Sequence, residues 1–182
     1  GALCGGAVVT DAGSVKGSVV ADAAAVFGQV PDWLVPGHPI AGTERSGVAA
    51  SFPELYHNRR VILTPLPQTD PNAVSKVRAM WQAAGAEVTE MDVAHHDQVL
   101  AATSHLPHML AFGLVDTLAR MQDTDEIFRY AAGGFRDFTR IASSNPVMWR
   151  DICIANAEAL SGMLDRFGEE MSDLSQTTRR GD

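Results

Sequence analysis

The sequence predicts an α/β segment followed by an all-α segment. Short apolar runs alternate with amphipathic stretches as far as Met91. Strand-like runs then disappear after Asp92, and the rest of the chain reads as helices punctuated by glycine, proline and asparagine. We place the boundary near Val93, giving an α/β domain over residues 1–93 and a helical domain over 94–182.

Ala7 to Thr10 (A-V-V-T) reads as a short buried strand, with Asp11 to Gly13 as the turn after it. Ser14 to Phe27 has helical spacing of Val15, Val19, Val20, Ala23, Ala24 and Phe27, and Gly28 suits its C-terminus. Trp33 to Val35 is a second short strand. It feeds V-P-G-H-P-I-A-G-T-E-R-S-G, Val35 to Gly47, where proline and glycine break regular structure and hold His38 in a loop just past the strand end. Arg60 to Thr64 is a third strand, stopped by Pro65 and Pro67. Pro71 to Gly85 is a helix, with proline near its start, apolar spacing through Val74, Val77, Met80 and Trp81, and glycine at its end. Ala86 to Met91 is the last strand. This order predicts part of a parallel or mixed sheet.

In the second segment, Ala94 to Met121 is a long helical pattern that Pro107 should kink. Thr124 to Ala132 is helical, Gly133 and Gly134 break it, and Phe135 to Ser143 forms a short helix. Asn145-Pro146 reads as an N-cap followed by proline at the first helical position. A helix then runs to about Phe167, and the polar stretch Ser172 to Asp182 is expected to fray. The apolar surplus in Met148, Trp149, Ile152, Ile154, Leu160, Met163 and Leu164 suggests a partner surface.

With 182 residues, a net charge of −8 and no basic run longer than the Arg59-Arg60 and Arg179-Arg180 pairs, the chain argues against nucleic acid or an anionic membrane as a partner. Cys4 and Cys153 lie far apart and imply no disulfide framework, which fits a reducing cytoplasm. No run is long enough to span a bilayer and no signal peptide is visible.

Several residues could carry chemistry. A rigidly held His38 suits a general base, although an incidental loop histidine has the same spacing. Ser14 falls near a helix N-terminus, where backbone N–H groups are free; a simple N-cap is the alternative. His105 and His108, three apart, share a helical face. With no cysteine or carboxylate ligand beside them they are a weak zinc signal, and no metal is expected. His95 and His96 begin a helix and are expected to face solvent. Arg136 and Arg140, with Asp137 between them, form either a charged helix face or a site for a carboxylate.

Four stretches in register resemble the prephenate and arogenate dehydrogenases, also called cyclohexadienyl dehydrogenases. They are V-T-D-A-G-S-V-K-G at Val9 to Gly17, G-H-P-I-A-G-T-E-x-S-G at Gly37 to Gly47, S-H-L-P-H at Ser104 to His108, and G-G-F-R-D-F-T-R-I-A at Gly133 to Ala142. The resemblance implies a partial Rossmann-like dinucleotide-binding domain followed by a helical dimerisation domain. It implies NAD(P)-dependent oxidative decarboxylation of prephenate to 4-hydroxyphenylpyruvate, or of arogenate to tyrosine, by a homodimer. His38 would then bond the ring hydroxyl as the catalytic residue, with Ser14 beside it and the nicotinamide. Asp11, Lys16 and Pro39 would join Ser14 on the cofactor side, unless Lys16 is an ordinary surface lysine. His108 would approach the substrate, with His105 next to it. Arg140 would bind a substrate carboxylate within an ionic network that includes Asp137. Thr43 would lie near the ligand's side chain, and Glu44 would pair with an arginine and control access.

The sequence contains no G-x-G-x-x-G. The resemblance therefore covers the second half of the nucleotide domain, and the phosphate loop and the residue that chooses NAD or NADP are expected upstream of Gly1. Alone, the chain is expected to bind NAD(P)+ weakly or not at all and not to turn over. Two alternatives are a non-catalytic dimerisation or ligand-sensing fragment and another two-domain hydroxyacid dehydrogenase. A lysine-centred motif on the first interdomain helix would favour the latter, and Ala94 to Met121 contains no lysine.

Overall fold

The computed structural model describes residues 6–42 and 47–182. The chain divides into two units, Gly1–Asp97 and Gln98–Asp182. In the first, β1 (Val9–Thr10) and β2 (Leu34–Val35) are parallel neighbours joined through α1 (Lys16–Phe27), with Val9 opposite Leu34. β3 (Gly37–Pro39) runs antiparallel to β4 (Arg60–Leu63), with His38 opposite Ile62. β4 is parallel to β5 (Glu87–Glu90), and α2 (Pro71–Ala83) makes the crossover. The strands form two sheets, β1-β2 and β3-β4-β5; the second is mixed, and it holds a strand, β3, where the sequence suggests a loop. Pro36 explains the change of partner. It has no N–H to continue the ladder beside β1, while its carbonyl accepts from the Thr64 N–H at 2.9 Å.

Each helix buries one stripe. Ala73, Val77 and Trp81 of α2 pack with Val35, Val61, Leu63 and Ala86, and Tyr56 stands edge-on to Trp81 at 5.0 Å. Ala23 of α1 packs with Val30 and Leu34. Burying one such Val or Leu side chain contributes roughly 1.5–3 kcal/mol. Asp70 caps α2 by accepting from the Asn72 N–H at 2.8 Å, with Pro71 in the first turn. Gly28, at φ 81, ends α1 as expected. α1 begins at Lys16, two residues later than its apolar spacing suggests, and Ser14 stays outside the helix.

The helical unit departs further from its periodicity. α3 (Val93–Leu100), which begins in the first unit, leads into a π-helical segment, Ala101–His105, and then α4 (Leu106–Ala119). Pro107 lies in the first turn of α4, where its missing N–H is not needed. Its ring crowds the carbonyl four residues back, at Thr103, and the widened π turn takes up that conflict in place of a simple kink. α5 spans Thr124–Arg129. Gly133 and Gly134 open α6 (Gly133–Thr139) rather than break a helix, and a 3-10 turn, Arg140–Ser143, follows. Asn145 caps α7 (Pro146–Ala155) by accepting from the Val147 and Met148 N–H groups.

The single helix expected from Pro146 to Phe167 is two helices, parted at the buried Asn156. α8 (Ala157–Arg180) takes in most of the tail that was expected to fray. Arg179 and Arg180 complement its C-terminal dipole, and Gly181 at φ 77 closes it. No helix among the described residues is long and apolar enough to cross a membrane.

Two glycines should respond oppositely to alanine. Gly85 sits at φ 86, and a Cβ there would collide with the His57 ring. Gly85→Ala should therefore cost more than about 1 kcal/mol. Gly162, inside α8, has open space around it, and Gly162→Ala should add roughly 0.5–1 kcal/mol. Urea midpoints at fixed protein concentration read both. Equal shifts would contradict the strain assigned to Gly85.

Candidate active site

Three residues from three elements meet where β1, α1 and β3 converge. Lys16 is fully buried. Its Nζ donates to the Asp11 carboxylate and to the Gly37 carbonyl. The other Asp11 oxygen accepts from the Gly37 N–H at 3.1 Å. One ion pair thus holds both backbone polar groups of the residue before His38. Asp11 also accepts from the Gly13 N–H at 2.8 Å, which shapes the turn after β1. Gly37 is tightly enclosed: a Cβ would stand 3.2 Å from Leu63 and Thr10 side-chain atoms and 3.3 Å from the Asp11 carbonyl. Burial pushes the Lys16 ammonium below its ordinary value, against the hydrogen bond and charge of Asp11 and the charge of Asp97. Lys16 is therefore no surface lysine.

His38 lies in β3 and is buried. Its Nδ1 is 2.9 Å from Nε2 of His96, with the rings edge-on. His96 Nδ1 is 2.7 Å from Asp97 Oδ1. His96 has no exposed surface, so the expectation that it faces solvent fails; His95 is the exposed one. On a helix, adjacent residues point about 100° apart, and the apolar spacing of this short helix does not say which of two neighbouring histidines turns inward. Asp97 also accepts from the Lys16 and Gly17 N–H groups at 2.8 and 2.7 Å. The N-terminus of α1 is thus capped by a carboxylate some 80 residues along the chain. Burial alone would raise the Asp97 carboxyl. The hydrogen bonds from His96, Lys16 and Gly17 hold it below its ordinary value instead.

Ser14 is half-buried between the Asp11 turn and α1, and Pro39, half-buried, closes β3. Ser14 makes no cap hydrogen bond for α1. Ala12 and Gly13 are exposed beside it at the carboxyl end of β1, which is where parallel α/β sheets bind ligands. They leave open surface beside Ser14 that could receive one end of a ligand. The free N–H groups expected at the start of α1 are another matter, because two of them are taken by Asp97, so that helix end does not fit a pyrophosphate. Thr43 and Glu44 lie outside the described residues.

A second cluster belongs to the helical unit. His105 is buried, and its Nδ1 is 3.1 Å from the Asn156 amide nitrogen. His108 directs Nδ1 at the Ser104 carbonyl, 2.9 Å away. Its ring stacks on Trp149, with centroids 3.5 Å apart and planes 19° from parallel. His105 stands edge-on to the same indole at 6.0 Å. Burial lowers the His108 pKa from 6.5, and the Ser104 carbonyl opposes this only in part. Trp149 reads in sequence as one more apolar residue, yet it is the surface on which both histidines rest. Arg140, in the 3-10 turn, and Asp137, on α6, are exposed on elements that pack against α4, the helix of His108.

Family models match both units. One described as "Prephenate dehydrogenase, nucleotide-binding domain" covers residues 2–90, and one described as "Prephenate dehydrogenase, dimerization domain" covers residues 92–182. The chain is 41% identical to a cyclohexadienyl dehydrogenase of Zymomonas mobilis, over 92% of this chain and 57% of that protein. It is 41% identical to a prephenate dehydrogenase of Bacillus subtilis, over 93% of this chain and 45% of that protein. The chain thus spans about half the length of the curated relatives it matches. Among solved structures, prephenate dehydrogenase from Aquifex aeolicus in complex with hydroxyphenyl propionate and NAD+ superposes with a TM-score of 0.87 at 44% identity, covering 96% of this chain and 60% of that one. A Synechocystis arogenate dehydrogenase gives a TM-score of 0.79 at 29% identity, covering 96% and 62%.

The stacked indole sets a titration. In the folded protein His108 should lose its proton with a midpoint below 6.5, read from its ring resonances by NMR. Trp149→Leu opens the ring to water and should return the midpoint toward 6.5. A wild-type midpoint at or above 6.5 would contradict the burial described.

Proposed function

The chain belongs to the prephenate dehydrogenase family, and from that membership we propose that the protein carrying it oxidatively decarboxylates prephenate or arogenate with NAD+ or NADP+. The observation that carries the reading is His38: a buried imidazole on a clamped strand, hydrogen-bonded through Nδ1 to His96. A base held in one orientation is what removal of a hydroxyl proton requires.

In this reading His38 takes the proton of the ring hydroxyl. Ser14, half-exposed at the carboxyl end of β1, orients the nicotinamide, and Pro39 borders the same place. Lys16 and Asp11 act from behind by fixing Gly37, because the buried ammonium has no surface to offer a ligand. When bound, the nicotinamide supplies the hydride acceptor. Arg140 holds a substrate carboxylate with its planar fork, supported by Asp137. His108 approaches the substrate with the buried His105 next to it, and Thr43 and Glu44 are further candidates for substrate contact. A neutral His108 suits this role. With its Nδ1 proton on the Ser104 carbonyl, its Nε2 presents a lone pair.

We also propose a homodimer through the helical unit. Val147, Met148 and Ile154 of α7 and Leu164, Met171 and Leu174 of α8 are all exposed. That much apolar surface on two helices is typical of a partner face. Sedimentation should give a dimer at micromolar concentration, and a stable monomer would refute it.

Steady-state kinetics of the protein carrying this chain tests the catalytic roles. His38→Asn should lower kcat about 10²–10⁴-fold with little change in substrate binding. Arg140→Ala should raise KM for prephenate by at least about tenfold and leave that for the nicotinamide cofactor nearly unchanged. Near-wild-type kcat in the first variant, or a cofactor effect alone in the second, removes the corresponding assignment.

A further inference from the structure

We infer that His96 and Asp97 are positioning residues that fix the proton tautomer of His38, so that Nε2 of His38 carries the lone pair that receives the substrate's proton. The inference deepens the reading of His38 as the base and rests on it.

An ionised Asp97 only accepts hydrogen bonds. Its Oδ1 lies 2.7 Å from His96 Nδ1, so that nitrogen carries the hydrogen. A neutral imidazole has one N–H, which leaves a lone pair on His96 Nε2. That lone pair faces His38 Nδ1 at 2.9 Å. Two lone pairs do not face each other at that distance, so His38 Nδ1 carries the hydrogen. The lone pair of a neutral His38 is then on Nε2. The network assigns both tautomers without appeal to the ligand.

The same chain prepares for charge. A proton gained at Nε2 makes His38 an imidazolium inside a buried strand. Among the described residues, the charged side chains nearest it are Asp11 after β1, Lys16 at the start of α1, and Asp97 beside His96 on α3. Asp11 and Lys16 already neutralise each other. Among the described residues, Asp97 is the negative charge that remains, and it reaches His38 through His96. Its carboxylate is held by the Lys16 and Gly17 N–H groups, so it stays aimed at His96 and ionised. The carboxylate–imidazole orientation resembles the buried Asp that fixes a catalytic histidine in hydrolase triads, with a second imidazole inserted. That insertion lets α3 supply the charge to a histidine on a sheet strand. The proton itself moves from the substrate hydroxyl oxygen to Nε2. It returns to that oxygen once the ring is aromatic, and His96 and Asp97 exchange no proton with the substrate.

Two measurements on the protein carrying this chain decide the matter. The first is nitrogen NMR of the histidine side chains above the ordinary histidine range. His38 and His96 should both be protonated at Nδ1 and bare at Nε2. A His38 protonated at Nε2 overturns the inference, and so does a doubly protonated His96, which would reverse the bond between them. The second is kinetic. His96→Phe removes the acceptor, whereas His96→Gln can place an amide oxygen where Nε2 stands. The Phe variant should lose about 10²-fold or more in kcat, with KM values little changed, and the Gln variant should recover most of it. Equal losses in the two, in step with lost stability, would mark a merely structural role and overturn the inference. His38→Asn separates the levels. If it keeps wild-type kcat, the base assignment itself fails; if it loses kcat while His96→Phe does not, only the positioning role fails. Should His96→Phe not fold, the wild-type tautomers and the Gln variant still decide.

Discussion

The pairing of Lys16 with Asp11 across Gly37 governs the first unit. An ammonium without solvent is costly, and it persists only because a carboxylate and a carbonyl replace its water. Those partners come from three places in the chain. The turn after β1 must bring Asp11 close, α1 must begin at Lys16, and β3 must begin at a glycine whose backbone both side chains can reach. Pro36 releases the chain from β2 into β3 at that point. The position of His38, one residue on, follows from these demands. Its rigidity thus belongs to the scaffold and does not depend on a bound ligand.

The helical unit solves a different problem with a related device. Pro107 forbids an ordinary α turn, and the π segment that results ends at His105, which is buried against Trp149 and Asn156. π turns inside α-helices recur at functional sites because they redirect side chains by part of a turn. Here the irregularity carries His105 inward while His108, three residues on, keeps its face on the indole. Asn156 has two roles: it divides α7 from α8, and its amide meets His105.

Much of this was legible in the sequence. The proline and glycine punctuation placed α2, and an asparagine before proline placed the start of α7. The four motifs identified the family, and with it the α/β-then-helical class. What escaped has physical causes. β3 was hidden because glycine and proline usually end strands, whereas here they flank one histidine in an antiparallel pair. The tail beyond Ser172 looked polar because one face of a long amphipathic helix is polar by design. His96 and Asp97 carried no motif and no periodic signal. Their importance depends on α1 and β3, which lie far away in sequence. Trp149 read as one of several apolar residues offered to a partner, whereas its burial and its contacts with His105 and His108 come from tertiary packing.

The cap that Asp97 places on α1 also bears on how the first unit assembles. Helix ends are usually closed by a residue within a few positions, so a helix can form with its cap as a local event. Here the closing carboxylate lies about 80 residues away, beyond both later strand pairs and the α2 crossover. Contacts of such separation form late, because the intervening chain must be ordered first. The start of α1, the buried lysine and the two histidines therefore lock together in the last stage of folding, as one cooperative step. A nascent chain that has not yet extended past Asp97 has α1 with a frayed beginning and no oriented histidine.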